Sequence, residues 1–160
     1  MIPPFRREFD AALDPSTAHF ALGLGSIAPW TPTLTFATPG DLSVVYSARV
    51  GKYTKIGRLV IVWFNIATST FTFTTASGIL HITGLPFTAD TSNSTQAVGG
   101  LDWGGITKAG YTQISTEVIA TTTRIQLIAN ASGTVRSFVA AADTPTTSSI
   151  VLRGSAAYFI

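Results

Sequence analysis

Residues 51–87 read GKYTKIGRLVIVWFNIATSTFTFTTASGILHITGLPF, and the pattern inside this stretch decides the fold class. Six consecutive apolar residues, LVIVWF at 59–64, are mostly β-branched or aromatic and are bracketed by Gly57 and Asn65. An unbroken run of this kind predicts a strand covered on both faces. Trp63, inside it, is expected in the core or at an interface. Strict alternation follows in TFTFT at 70–74, which sets Phe71 and Phe73 on one face and threonines on the other. Ser77-Gly78 then reads as a turn, and Ile79, Leu80 and Ile82 as a second strand, so a hairpin is expected here. No residue type suited to catalysis stands out in the stretch.

The alternation extends in both directions. Upstream, TLTF at 33–36 alternates, TPGD at 38–41 turns, and Leu42, Val44, Tyr46, Ala48 and Val50 fall on one face of a strand. Downstream, residues 88–105 are polar and contain Gly99-Gly100, a composition that predicts a long loop or a weak strand between two loops. Residues 111–120, 123–129, 135–140 and 150–160 are further strand candidates, separated by Thr, Asn, Gly and Pro clusters. About nine or ten strands at roughly 8–12-residue spacing indicate an antiparallel β-sandwich or barrel. The expected fold is all-β, a jelly-roll-like antiparallel β-sandwich over residues 29–160.

Residues 1–28 differ from the rest. Phe5, Phe9, Ala12 and Leu13 recur at helical spacing, and Ser16 or Thr17 caps a second short helical pattern that ends at Gly23. This stretch is therefore read as a short helical shaft or linker. Gly23-Leu24-Gly25-Ser26-Ile27-Ala28 fits a dinucleotide fingerprint by letters alone, but that site needs a strand before it and a helix after it. Pro29 and Pro32 stop any helix at once.

Composition narrows the function. Hydrophobic residues make up 46% of the chain and charged ones 11%, against about 25% charged in ordinary soluble domains. Such a balance implies a membrane or burial against another chain. No apolar run approaches the ~20 residues of a spanning helix, so subunit burial is the expectation and membrane insertion is not. Ten scattered Lys and Arg, with no cluster beyond Arg6-Arg7, give no footprint for nucleic acid. The absence of cysteine removes disulfide scaffolds and thiolate metal sites.

The catalytic inventory is thin. His19 and His81 lie on different elements, and His81 reads as a solvent-facing or hydrogen-bonded strand residue. No H-E-x-x-H, P-loop or G-x-S-x-G is present. No enzymatic activity, metal or cofactor is therefore expected.

Two segments carry a resemblance. YTKIG at 53–57 and SGILHITGLPF at 77–87 resemble the C-terminal domain of bacteriophage tail fibres and tailspikes, which form β-sandwich tips on trimeric fibres. TAHFALGLGSIA at 17–28 is similar to segments of tail-fibre shafts. The likeness runs from residue 29 to the end of the sequence but is faintest over residues 90–110. It implies a homotrimeric receptor-binding tip in the virion tail, assembled in the host cytoplasm and recognising a bacterial surface polysaccharide without cleaving it. The alternative is a structural module that trimerises and caps the fibre.

A glycan site joins an aromatic face, which stacks on sugar C–H groups, with carboxylates and amides that hydrogen-bond hydroxyls. Trp103 and Asp102 stand together between glycines, and Asp90 and Asn93 share the polar stretch with them. These four residues are the expected sugar-binding surface. Trp103 has a second reading, as a plug in the core or in a subunit contact.

Overall fold

The computed structural model describes residues 26–91 and 98–160. They form eleven strands in two antiparallel sheets. The strands are β1 (Ala28–Trp30), β2 (Thr33–Thr38), β3 (Ser43–Ile56), β4 (Leu59–Thr72), β5 (Ser77–Thr83), β6 (Val98–Gly99), β7 (Leu101–Gly104), β8 (Gln113–Val118), β9 (Arg124–Asn130), β10 (Ser137–Phe138) and β11 (Val151–Phe159). One sheet has the order β1-β3-β4-β11-β7, the other β2-β5-β9-β8-β6, with β10 paired to β9. Side chains from both sheets meet in one core cluster, among them Val60, Val62 and Ile66 from the first and Leu34, Ile82 and Leu127 from the second. The helical pattern expected over residues 1–28 falls outside the described residues, apart from residues 26–28, the last of which, Ala28, opens β1. Among the described residues no helix is long and apolar enough to cross a membrane.

The long β3–β4 hairpin is the frame of the five-stranded sheet. Its strands pair from Ser43↔Thr72 to Ile56↔Leu59, leaving Gly57-Arg58 as a two-residue turn. Gly57 has φ 59°, the left-handed value that the first central position of such a turn requires. Trp30 on β1 closes one edge. Its indole N–H reaches the carbonyls of Lys52 (3.2 Å) and Trp63 (3.1 Å), and its ring meets Phe64 edge-on. Gly51 opposite leaves the space for that ring, since a Cβ there would lie 2.6 Å from the Trp30 Nε1.

Three expectations change. First, residues 59–64 are not covered on both faces. β4 alternates, with Val60, Val62, Phe64 and Ile66 buried and Trp63 45% exposed on the outside. The apolar outer residues Leu59, Ile61 and Trp63 hid the period. Second, the strands flanking Ser77-Gly78 do not make a hairpin, because β4 and β5 belong to different sheets. The chain crosses between sheets at residues 73–76, beside the crossing of β2 into β3 at residues 39–42. Third, Val50 leaves the face of Leu42, Val44 and Tyr46. The β3–β4 register shifts on both sides of the Tyr46↔Thr68 pair, skipping Ser69 on β4 and Ser47 on β3, and beyond that point Val50 is 51% exposed.

The polar stretch after residue 87 is also not one loop. Its described part holds β6 and β7, which lie at edges of opposite sheets.

Candidate functional site

The three described residues expected to bind sugar, Trp103, Asp102 and Asp90, do not come together. Trp103 and Asp102 are neighbours in β7, so their side chains project to opposite faces. Trp103 packs against the core, half-buried, which answers its second reading. Asp102 is exposed on the outer face. Asp90 belongs to the far end of the sandwich, where its N–H donates to the Phe159 carbonyl at 2.8 Å. Asp102 pairs with Arg153, six residues back along β11, roughly 20 Å away at strand rise. Asp90 is held by the N–H of Thr91 (2.6 Å) and by Arg58 (2.7 Å). These bonds, the Thr91 N–H first, keep its carboxyl below the usual range. Asn93 lies outside the described residues. The expected surface of Trp103, Asp102 and Asp90 therefore does not form.

A different surface does. On the outer face of the five-stranded sheet, Val50, Asn65, Arg153 and Asp102 are cross-strand partners in one row over β3, β4, β11 and β7. Three strand spacings make that row roughly 15 Å wide. Lys52, Trp63 and Ser155 form the adjacent row. The Arg153 guanidinium donates to Asn65 Oδ1 at 3.4 Å and faces Asp102 Oδ2 at 3.5 Å. All of these groups reach solvent, so the pair orients side chains more than it stabilises the fold.

A groove of about 400 Å³ opens at the Trp63 end, lined by Ile27, Val50, Lys52, Trp63, Phe64 and Asn65. At its floor the Trp63 carbonyl accepts the Trp30 indole N–H, which ties β1 to β4 there. The arrangement offers an aromatic face flanked by an amide, two cations and a carboxylate. It has what hydroxyl recognition needs.

No protein-family model and no curated protein matches this sequence. Its fold does match a solved structure, the Dettilon tailspike protein (gp208), with a TM-score of 0.60 and 21% sequence identity. The likeness takes in 82% of this chain and 23% of the tailspike chain. The all-β, two-sheet architecture is thus one that a tailspike protein contains.

The sequence held a signal for Trp63 that the unbroken apolar run masked. Asn65 and Ser69 sit at even spacing from Trp63, and Asn65 two residues on marks that side of the strand as wet. Lys52 and Arg153 join only through strand pairing, which no local pattern carries.

The opposite sheet buries a second polar row. His81, Gln126 and Glu117 are successive cross-strand partners on β5, β9 and β8. Glu117 is 2% exposed, accepts from Gln126 Nε2 at 2.6 Å and pairs with Arg136 at 3.0 Å. His81 is neither solvent-facing nor hydrogen-bonded at Nδ1: it is 6% exposed and that nitrogen has no partner. Among the described residues, no three His, Asp or Glu side chains cluster as a metal site.

Proposed function

We propose that this chain is the receptor-binding module of a phage tail fibre or tailspike, a homotrimer of the virion tail assembled in the host cytoplasm. In this reading the outer face of the five-stranded sheet holds a bacterial surface polysaccharide without cleaving it. The observation that carries the binding role is Trp63, a large aromatic left 45% exposed on a rigid strand beside Asn65, Lys52 and the Arg153–Asp102 pair. A Trp is normally among the most buried residues on average, so its exposure in a sheet centre calls for an occupant. The fold likeness to a tailspike protein supports the tail assignment. The resemblance of residues 53–57 and 77–87 to tail-fibre tips agrees with it.

The carboxylates favour binding over hydrolysis. Glycoside cleavage uses a pair of carboxyl groups roughly 5–9.5 Å apart across the scissile bond, and among the described residues Asp102 is the one carboxylate in the cross-strand rows around Trp63. Each described carboxylate is already engaged: Asp41 with Thr74 and Thr75, Asp90 with Thr91 and Arg58, Asp102 with Arg153, Glu117 with Gln126 and Arg136, Asp143 with Lys108.

The second reading is a structural module that trimerises the fibre and binds nothing. It is favoured by the exposed apolar side chains Ile27 and Val50 beside Trp63, which a neighbouring subunit would cover.

The test is a fluorescent fusion of the full chain applied to a panel of bacteria. Staining that is lost in Trp63→Ala, with the circular dichroism spectrum unchanged and no new reducing ends released from the polysaccharide, supports the first reading. A panel that stays dark, together with a Trp63→Ala protein that no longer assembles, supports the second.

A further inference from the structure

We propose that the Trp63 face is selective for an anionic saccharide: the indole stacks under one sugar ring, and the carboxylate of that or the adjacent sugar meets the ammonium of Lys52. The inference rests on the polysaccharide-binding reading and adds the chemical class of the ligand.

Among the described residues, Arg58, Lys108, Arg136 and Arg153 are each paired with a carboxylate. Arg49 donates to the Pro32 carbonyl and the Thr33 hydroxyl and covers the Tyr46 ring. Lys55 lies over the Phe87 ring. Among the described residues Lys52 and Arg124 remain with no hydrogen bond, ion pair or aromatic ring to hold the side chain, and Arg124 belongs to β9 on the other sheet. Lys52 is thus the uncompensated charge of the Trp63 face, on the groove wall and directly across the ladder from the indole.

The rest of the face sharpens the match. Arg153 is already balanced by Asp102, so the surface carries one spare positive charge. A single ammonium suits a singly charged carboxylate, as on a uronic acid. Asn65, whose Oδ1 accepts from Arg153, keeps its amide N–H groups for hydroxyl or ring oxygens. The apolar positions of the groove, Ile27, Val50 and the indole, are interleaved with Lys52 and Asn65. That mixture fits a sugar, which has one apolar face and a polar rim.

The experiment uses the full chain and purified bacterial polysaccharides, half of them bearing uronic acids and half neutral, with each acidic one also tested after its carboxyls are reduced to alcohols. Binding confined to the acidic set, weakened about fivefold by carboxyl reduction and by Lys52→Gln, supports the proposal. Trp63→Ala should weaken it about thirtyfold, as for an aromatic anchor. Raised salt should erase the preference for the acidic form. If neutral and acidic chains bind alike, or Lys52→Gln changes nothing while Trp63→Ala still abolishes binding, the anionic assignment is overturned and the binding reading stands. If no polysaccharide of either set binds, both fall.

Discussion

The carboxylate of Asp41 accepts the backbone N–H of Thr75 at 2.8 Å, binding two loops thirty-four residues apart in sequence. It also takes the N–H of Thr74 at 2.9 Å and the hydroxyls of both threonines at 2.5 and 2.9 Å. The two loops are the crossings of β2 into β3 and of β4 into β5. Because β2 pairs with β5 and β3 with β4, these crossings run side by side at one corner of the sandwich. The Asp41 carboxylate therefore ties together the two segments that change sheet at this corner.

Asp41 should also set how that corner responds to acid. Its hydrogen bonds, the Thr74 hydroxyl first and then the N–H groups of Thr74 and Thr75, hold the carboxyl far below its ordinary value of 3.8. A carboxyl depressed in the folded state contributes fully above its unfolded pKa, and that contribution shrinks progressively below it and is gone once pH has fallen through the lower folded value. The corner is thus expected to survive at pH 4, with the amides of Thr74 and Thr75 still protected from exchange. Asp41→Asn, which lacks the charge, should speed their exchange already at pH 7. Equal exchange in wild type and variant would rule out this role.

Gly51 permits the Trp30 anchor. A Cβ at residue 51 would sit 2.6 Å from Nε1 and 2.7 Å from the backbone oxygen of Trp30, and the backbone cannot swing aside as a flexible side chain would. Gly51→Ala should cost about 1–3 kcal/mol through overpacking. Gly57→Ala, with nothing within 4 Å but φ at 59°, should cost about 1 kcal/mol from conformation alone. Urea unfolding separates them: only the first should also alter Trp30 fluorescence. A Gly51→Ala protein as stable as wild type would contradict the close approach.

His81 gives a second pH response, at milder acidity. Burial first, and Arg124 second, lower its pKa from the ordinary 6.5, so the folded protein holds it neutral. The unfolded chain takes up the proton first as pH drops, so stability should fall below about pH 6.5 and level off once pH passes the folded value. Thermal midpoints at pH 8 and pH 5 should differ more in wild type than in His81→Gln. Identical shifts in the two proteins would show that other groups set the slope.

The alternation of Leu34 and Phe36, of Phe71 and of Leu80 and Ile82 was enough to read an all-β chain with two buried faces, since burial and period coincide at those residues. What the sequence could not show were the long-range partners. Ser77-Gly78 has the letters of a turn, yet both lie inside β5, and Gly78 is there because a Cβ would strike that of Ala37 at 2.9 Å. The same limit governed the site. Asp102 and Trp103 looked like a pair because they are adjacent, whereas a strand sends adjacent side chains apart. Lys52, Asn65 and Arg153 are far apart in sequence and meet through ladder register alone.

The proposed trimer places a demand on a different part of the surface. If the groove at Trp63 takes a ligand, subunits must meet clear of it, at the other end of the same outer face, four residues along β4 and roughly 13 Å away. The apolar row of Ile56, Leu59 and Phe159, joined by the registers of β3, β4 and β11, is available at the end where the β3–β4 turn meets the last strand. Ile56 is 42% and Phe159 44% exposed. Sedimentation equilibrium should give about three times 16.8 kDa for wild type and for Trp63→Ala. Phe159→Asp should shift the distribution toward the protomer, since a carboxylate there would be buried unpaired on association. Unfolding coupled to dissociation should raise the thermal midpoint with protein concentration in wild type and not in Phe159→Asp. A protomer mass for wild type at micromolar concentration would exclude the trimer. A trimer lost in Trp63→Ala but kept in Phe159→Asp would move the contact onto the groove, and with it displace the saccharide from that face.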